Sequence, residues 1–299
     1  MEEARFSFEG PLDLRTTFGF RLGPLDPTYV FEGRAVWHAT HTREGPVTLR
    51  LSHDGSEVVA RAWGAGAAWA LDEVPRMVGL GEWTPMPEVH PTITELAARH
   101  EGIRPSIAIG LLDLLVRVIL QQRVTFKDAA SAKRKLVLKH GGPAPGGDEV
   151  PDNLHIAPSA KTLHALRYFD YHPCGVERSR AEIIRRVSRR GASIERFRDL
   201  PAKEAKRRLR SFSGVGPWTA ALVAGTGLAD TDAVPTGDYH LPNTVAWVLA
   251  REERADDARM LELLEPFRPH RFRVLQLIEA EGLHAPRRGP RMPRMRWKE

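Results

Sequence analysis

The sequence predicts an α+β protein, with a β-rich N-terminal domain over residues 1–100 followed by a mostly α-helical, two-lobed region over 101–285. Three observations carry this expectation. Val47, Leu49 and Leu51 alternate with polar neighbours, Asp54-Gly55 follows, and Val58 to Trp63 resumes the run. Alternation on both sides of an Asp-Gly pair is the strongest short-range hairpin signal. From Pro105 onward the period changes: Ile109, Leu112, Leu115, Val116, Ile119 and Leu120 recur at three- and four-residue spacing, which places them on one helical face. Finally, Gly214-Val215-Gly216 separates two helical stretches.

The remaining elements follow in order. Arg5 to Phe8 and Tyr29 to His41 have strand character, and Trp37, Trp63 and Trp69 are candidate core fillers of the sheet. Gly141 to Asp148 is expected to be a flexible break. Helical stretches are expected at Ser159–Arg167, Arg178–Arg190 and Pro201–Phe212. The second of these carries six arginines, as a solvated outer face or, slightly less favoured, a DNA contact. Residues 286–299 form a basic, Pro-rich tail that stays disordered or lies along phosphates.

Composition narrows the function classes. The 299-residue chain is long enough for two or three packed subdomains, and its 42% hydrophobic content suits a soluble globular protein. No apolar run reaches about 18 residues, and the N-terminus lacks a signal-peptide layout, so a cytoplasmic, nucleoid-associated protein is expected, with no membrane partner. A net charge of +6 and a pI near 9.7 favour an anionic partner, although a G+C-rich genome explains the arginines equally well. The single cysteine, Cys174, excludes an internal disulfide, an all-cysteine zinc site and a four-cysteine iron–sulfur cluster. Nothing around it suggests activation, so inert packing is expected.

The segment from Lys206 to Val223 is the most informative. A helix from Pro201 buries Ala202, Ala205, Leu209 and Phe212 and ends at Gly214-Val215-Gly216, and Pro217 opens a second helix at its preferred first position. The glycines allow close approach to the turn, and the second helix presents free N–H groups and its positive dipole end, an anion site. Such a hairpin holds a phosphate without reading base sequence. By itself it says no more than that.

About twenty residues on comes Asp232-Ala-Val-Pro-Thr-Gly-Asp-Tyr-His-Leu241. Together with Leu209-x-x-Phe212-x-Gly214-x-Gly216-x-x-Thr219, Ile119-Leu-Gln-Gln122 and Pro266-Phe-Arg-Pro269, this resembles the helix-hairpin-helix base-excision DNA glycosylases, closest to the bacterial 3-methyladenine (AlkA-like) branch. The resemblance spans roughly residues 105–285. It implies hydrolysis of the N-glycosidic bond of damaged, alkylated purines in double-stranded DNA, by a monomer that requires no cofactor. Asp238 would be the catalytic carboxylate, stabilising an oxocarbenium-like sugar and orienting water; otherwise it only caps the helix after it. Asp232 is the competing acid, expected to brace the loop. Trp218 stands where lyase-competent relatives carry a Schiff-base lysine, which implies no lyase activity. Trp218, Phe267 and Tyr239 would line the substrate pocket, an aromatic setting that suits a cationic base; core packing is the other reading of Phe267. Gly214, Gly216, Thr219, Gln122 and Arg123 would meet DNA. Arg123 departs from the apolar wedge of known alkylpurine enzymes, and Val124 is its alternative. The resemblance also implies a monovalent cation, K+ or Na+, on the backbone carbonyls of Arg210, Phe212 and Val215. Two alternatives stay open: a glycosylase for oxidised or deaminated bases, and a catalytically silent DNA-binding protein.

Overall fold

A computed structural model describes residues 1–19, 26–81 and 84–286; the tail expected to be disordered lies outside these from residue 287. Five strands, β1 (Glu2–Ser7), β2 (Tyr29–Glu32), β3 (Ala35–Thr42), β4 (Gly45–His53) and β5 (Glu57–Trp63), pair antiparallel in the order β1-β5-β4-β3-β2. The alternation at Val47, Leu49 and Leu51 becomes an inward-facing row on β4, fully buried, with Leu49 and Leu51 opposite Ala62 and Ala60 of β5. The expected run from Tyr29 to His41 is two strands, because Gly33, with φ +57°, turns the chain between β2 and β3.

One sheet face is covered by short helices α1 (Leu14–Gly19), α2 (Ala67–Asp72) and α3 (Val74–Val78), which enclose Leu49, Leu51, Val58, Val74 and Val78. The other face corrects an expectation. Gly141 to Asp148, expected to be flexible, belong to an ordered segment, 141–157, that forms the pair β6 (Gly142–Pro143) and β7 (His155–Ile156) and lays Ala144, Val150, Leu154 and Ile156 over Trp37 and Trp63. The two indoles stack at 5.4 Å, and their N–H groups donate to Glu32 and Glu149. Aromatic area exposed by the sheet is what orders this glycine-rich stretch.

The helical region comprises α4 (Pro91–Arg99), α5 (Leu111–Leu120), α6 (Phe126–His140), α7 (Ala160–Ala165), α8 (Tyr168–Tyr171), α9 (Arg178–Ser188), α10 (Gly191–Glu195), α11 (Ala202–Leu209), α12 (Pro217–Gly227), α13 (Leu241–Ala250), α14 (Asp257–Leu264) and α15 (Arg271–Ala280). Nine of the ten residues of α5 are buried, so it is the central helix rather than a one-faced one. Its free N-terminal N–H groups at Leu111 and Leu112 donate to Glu195, whose carboxyl burial pushes up to about 7. α12 packs on α5 where Gly227 meets Leu114, and on α15 where Gly225 meets the Phe272 ring. Cys174 is buried, and burial raises its thiol pKa, so it is inert. On α9, Arg180 is buried and donates to the Leu120 carbonyl, so the arginines do not share one outer face.

The sheet and the helices are joined by a buried ionic cluster. Arg117 of α5 meets Asp26 at 2.7 Å and Asp113 at 3.8 Å, and Lys133 of α6 also pairs with Asp113. Asp26 accepts from the Thr28 N–H and hydroxyl, and the Thr28 carbonyl meets His38 Nδ1 on β3. Tyr29 stacks on His38 at 3.9 Å beneath the Arg117 guanidinium. No helix among the described residues is long and apolar enough to cross a membrane.

Candidate active site

The hairpin is built as its residues dictate. α11 buries Ala205 and Leu209 and leaves Lys206, Arg207 and Arg208 outward. Gly214 takes φ +93°, a conformation glycine adopts without cost, and a Cβ there would strike Ile183 of α9 at 2.4 Å. At Gly216 a Cβ would meet nothing within 4 Å, so this position faces open space at the start of α12. Pro217 opens α12 at its first turn. The loop is held from two sides: Arg186 of α9 donates to the Ser213 carbonyl at 2.6 Å, and Gln122 Nε2 donates to the Gly214 carbonyl at 3.1 Å.

Asp238 is half-buried at the start of α13, and both of its oxygens are engaged. Oδ1 accepts from the backbone N–H groups of His240 at 2.8 Å and Leu241 at 2.9 Å. Oδ2 accepts from Trp218 Nε1 at 2.8 Å. Capping and site geometry therefore coexist: one oxygen closes the helix end, and the other is aimed at the hairpin helix. Gly237, with φ +85°, forms the corner before it, and its N–H donates to Asp257 of α14.

These bonds gather most of the expected residues. Gln122 Nε2 also donates to Thr219 Oγ1 at 2.9 Å, Thr219 follows Trp218, and Trp218 holds Asp238. Arg123, beside Gln122, is exposed with φ +57°, a region rarely used by non-glycine residues, so the tip after α5 projects it outward. Tyr239 is 86% exposed next to Asp238, edge-on to His240.

Three expectations change in detail. Phe267 is only 2% exposed and packs in the helical core from the turn Glu265–Phe267. Thr219 is likewise 2% exposed with its hydroxyl engaged by Gln122, so it braces the hairpin instead of facing a ligand. Gln122 is tied to the hairpin rather than free to fill a gap, which leaves Arg123 as the projecting group. Asp232 pairs with Arg271 at 2.7 Å and Arg268 at 3.3 Å; burial opposes its ionisation, but these arginines hold its carboxyl below the usual range. It braces the loop leading to Asp238. The carbonyl of Phe212 accepts the Val215 N–H at 2.9 Å, and among the described residues no backbone N–H donates to the carbonyls of Arg210 and Val215, so the hairpin is compatible with a monovalent cation there. Glu279, at the end of α15, is an acid that no sequence motif marks; burial and then the charge of Asp238 push its carboxyl up. Glu279 lies 41 positions beyond Asp238 and belongs to no motif, so only the packing of α15 reveals it.

A β-rich N-terminal sheet followed by a helix-hairpin-helix and an aspartate opening the next helix is a fold this chain shares with solved structures of DNA glycosylases. The chain matches the solved structure of a 3-methyladenine DNA glycosylase from Archaeoglobus fulgidus with a TM-score of 0.74 at 19% identity, over 92% of this chain and 97% of that one. It matches the Clostridium acetobutylicum 8-oxoguanine glycosylase/lyase with a TM-score of 0.68 at 14% identity, over 93% and 96%. In sequence it is 28% identical over 153 residues to a Mycobacterium tuberculosis protein described as a probable bifunctional transcriptional activator/DNA repair enzyme AlkA; the match covers 50% of this chain and spans 30% of that relative's length. No family model matches the chain.

Proposed function

We propose that the protein is a monofunctional DNA glycosylase of base excision repair, hydrolysing the bond between an alkylated purine and its sugar in duplex DNA. The observation that carries this reading is the Trp218–Asp238 pair: a half-buried carboxylate bonded to the hairpin helix at the position where lyases of this fold bear a lysine. α12, Pro217–Gly227, contains no lysine, and Lys206 on α11 is paired with Asp230 at 2.5 Å. In this mechanism the hairpin's N–H groups grip a phosphate, Arg123 enters the space vacated by the flipped nucleotide, and Asp238 stabilises positive charge on the sugar as the base departs. Water then adds to the sugar carbon, and Asp238 takes its proton. A monovalent cation on the carbonyls of Arg210, Phe212 and Val215 would fix the hairpin turn against the phosphate. The exposed face of Tyr239 and the indole of Trp218 suit a cationic ring, a contact worth about 0.5–2 kcal/mol.

The test is base release from duplexes containing 3-methyladenine, 7-methylguanine, hypoxanthine, uracil or 8-oxoguanine, followed by borohydride trapping. Release of an alkylpurine with an intact abasic strand and no trapped adduct is expected. Strand cleavage with a trapped adduct would instead assign a bifunctional enzyme, and release confined to 8-oxoguanine would overturn the alkylpurine assignment.

The hairpin glycines separate fold from binding. Gly216→Ala is expected to keep the melting temperature of the parent while weakening duplex binding, since its added methyl points into open space. Gly214→Ala is expected to destabilise the fold itself by about 1–3 kcal/mol, because it combines a positive φ with a clash against Ile183. Unchanged duplex affinity in Gly216→Ala would remove the hairpin from the DNA interface.

A further inference from the structure

α6 leaves the tip that carries Arg123 and runs for 15 residues. Its start is fixed by Thr125, whose hydroxyl accepts from the Asp128 N–H at 3.1 Å and donates to the Asp128 carboxylate at 2.7 Å. The inner side of the helix is buried at Ala129, Ala132, Leu136 and Val137, and Lys133 on that side is spent on Asp113. The outer side is a row of cations. Lys127, Arg134, Lys135 and Lys139 are all exposed at helical spacing, with only the small Ala130 and Ser131 on the face between Lys127 and Arg134. Among the described residues none of these four cations has an ion-pair or hydrogen-bond partner, and neither has Arg123. Beside the hairpin, by contrast, Arg207 and Arg208 are held by Glu204, and Arg185 on α9 by Glu182. The row costs the helix stability. Lys127 stands in the first turn, at the positive end of the dipole, and Lys135 and Lys139 are a like-charge pair four residues apart. Asp128, the single acid of α6, is turned to the cap. A face shaped for folding alone would alternate its signs; this one is arranged for an anion from outside.

We propose that the outer face of α6 is a second backbone grip, holding duplex phosphates to one side of the damaged nucleotide. This rests on the glycosylase reading above. Track and site are mechanically continuous: only Val124 and Thr125 separate Arg123 from α6, and Gln122 ties the same tip to the Gly214 carbonyl and the Thr219 hydroxyl. Duplex that sits on the hairpin and receives Arg123 meets α6 as it leaves the site. From Lys127 to Lys139 the helix extends about 18 Å, at ~1.5 Å per residue. At ~3.4 Å per step along a strand, that is the length of about five base pairs. Lysine and arginine on an exposed face meet phosphate oxygens and carry no base readout, so the grip is independent of sequence. The C-terminal segment 287–299 is itself basic, so its charge does not suit this face. The hairpin and α6 would thus hold the duplex at two separated places, with Arg123 between them.

The experiment is binding to an abasic-site duplex, read by fluorescence anisotropy from about 50 to 300 mM salt. The parent is compared with the combined variant Lys127→Gln, Arg134→Gln, Lys135→Gln and Lys139→Gln. One duplex has about twelve base pairs on each side of the abasic site, and two others are trimmed to about three on one side or the other. The variant is expected to melt no lower than the parent, since the cations it loses are unfavourably placed. Its slope of log affinity against log salt is expected to be shallower by about two to four, at ~0.9 per phosphate contact. Trimming one particular side should weaken the parent about tenfold or more and cost the variant little further. Trimming the other side should weaken both alike. A loss in the variant that is the same on all three duplexes would mark cations acting at long range and overturn the proposal. So would a melting temperature that falls along with affinity, which would mark a structural role. A parent that binds duplex and releases base, with a variant of the same slope, overturns this proposal alone. A parent that binds no duplex at any salt removes the glycosylase reading and this proposal together.

Discussion

Asp238→Asn is expected to lower base release on the order of 10²–10⁴-fold while binding to an abasic-site duplex persists. The hydrogen-bond pattern explains why the substitution is not silent. The single oxygen of asparagine can accept from His240 and Leu241, as Oδ1 does now, but its amide then points N–H groups at the indole N–H of Trp218. If the side chain flips, the amide faces the two backbone donors instead. Either way a donor meets a donor, and the negative charge is gone. Helix capping survives in the first orientation, so loss of stability is expected to stay within about 1 kcal/mol. Trp218→Phe is the companion variant: it keeps an aromatic ring, removes the donor to Oδ2, and is expected to cost release about tenfold, from a charged hydrogen bond worth about 1.5–3 kcal/mol. Release by Asp238→Asn at the parental rate would remove this carboxylate from the chemistry. Duplex binding with no release from any lesion, by parent or variant, would leave a backbone clamp.

Arg117→Met is expected to destabilise the protein by about 3–5 kcal/mol, because it leaves Asp26 charged, buried and facing only more distant cations. For a chain of this size that lowers the melting temperature by about 5–8 °C. Adding Asp26→Asn should recover much of the loss, since the asparagine oxygen still accepts from Thr28 and no buried charge is stranded. A fall of under about 3 °C in Arg117→Met would show that the cluster does not hold the sheet to the helices. The pH dependence has a definite sign. Burial lowers His38 from 6.5 to about 4, so its neutral form is the one the fold accepts. The stability tied to it is complete above pH 6.5 and drains away as pH falls toward 4. Asp26 adds a second loss at lower pH: burial opposes its charge, but Arg117 and Lys133 outweigh that and hold it below 3.8. A melting temperature flat from pH 7 down to 4 would contradict the His38 assignment, and one flat from pH 4 down to about 2 would contradict that of Asp26.

Much of this architecture was legible because its determinants are local. The β4–β5 hairpin is written in alternation around Asp54-Gly55, the hairpin of α11 and α12 in glycines and a proline, and the capping role of Asp238 in its place just before a helix. What escaped depends on contacts between distant positions. Nothing within Gly141 to Asp148 announces that Trp37 and Trp63 await a cover. Phe267 looks the same in sequence whether it faces a cleft or the core, and only the packing of its turn decides. The ionic cluster joins positions 26, 113, 117 and 133, of which only 113 and 117 share a helical spacing.

The bond from Gln122 to the hairpin has a mechanical corollary. Because one amide joins the tip carrying Arg123 to Gly214 and Thr219, the tip and the hairpin turn are braced together as one jaw, which Trp218 ties to Asp238. Such a jaw has little freedom to surrender on meeting its target, so in the proposed reaction the bending and unstacking fall on the DNA. Weakly paired nucleotides would yield to it first, and discrimination would begin with the pliability of the duplex, before any base reaches Trp218.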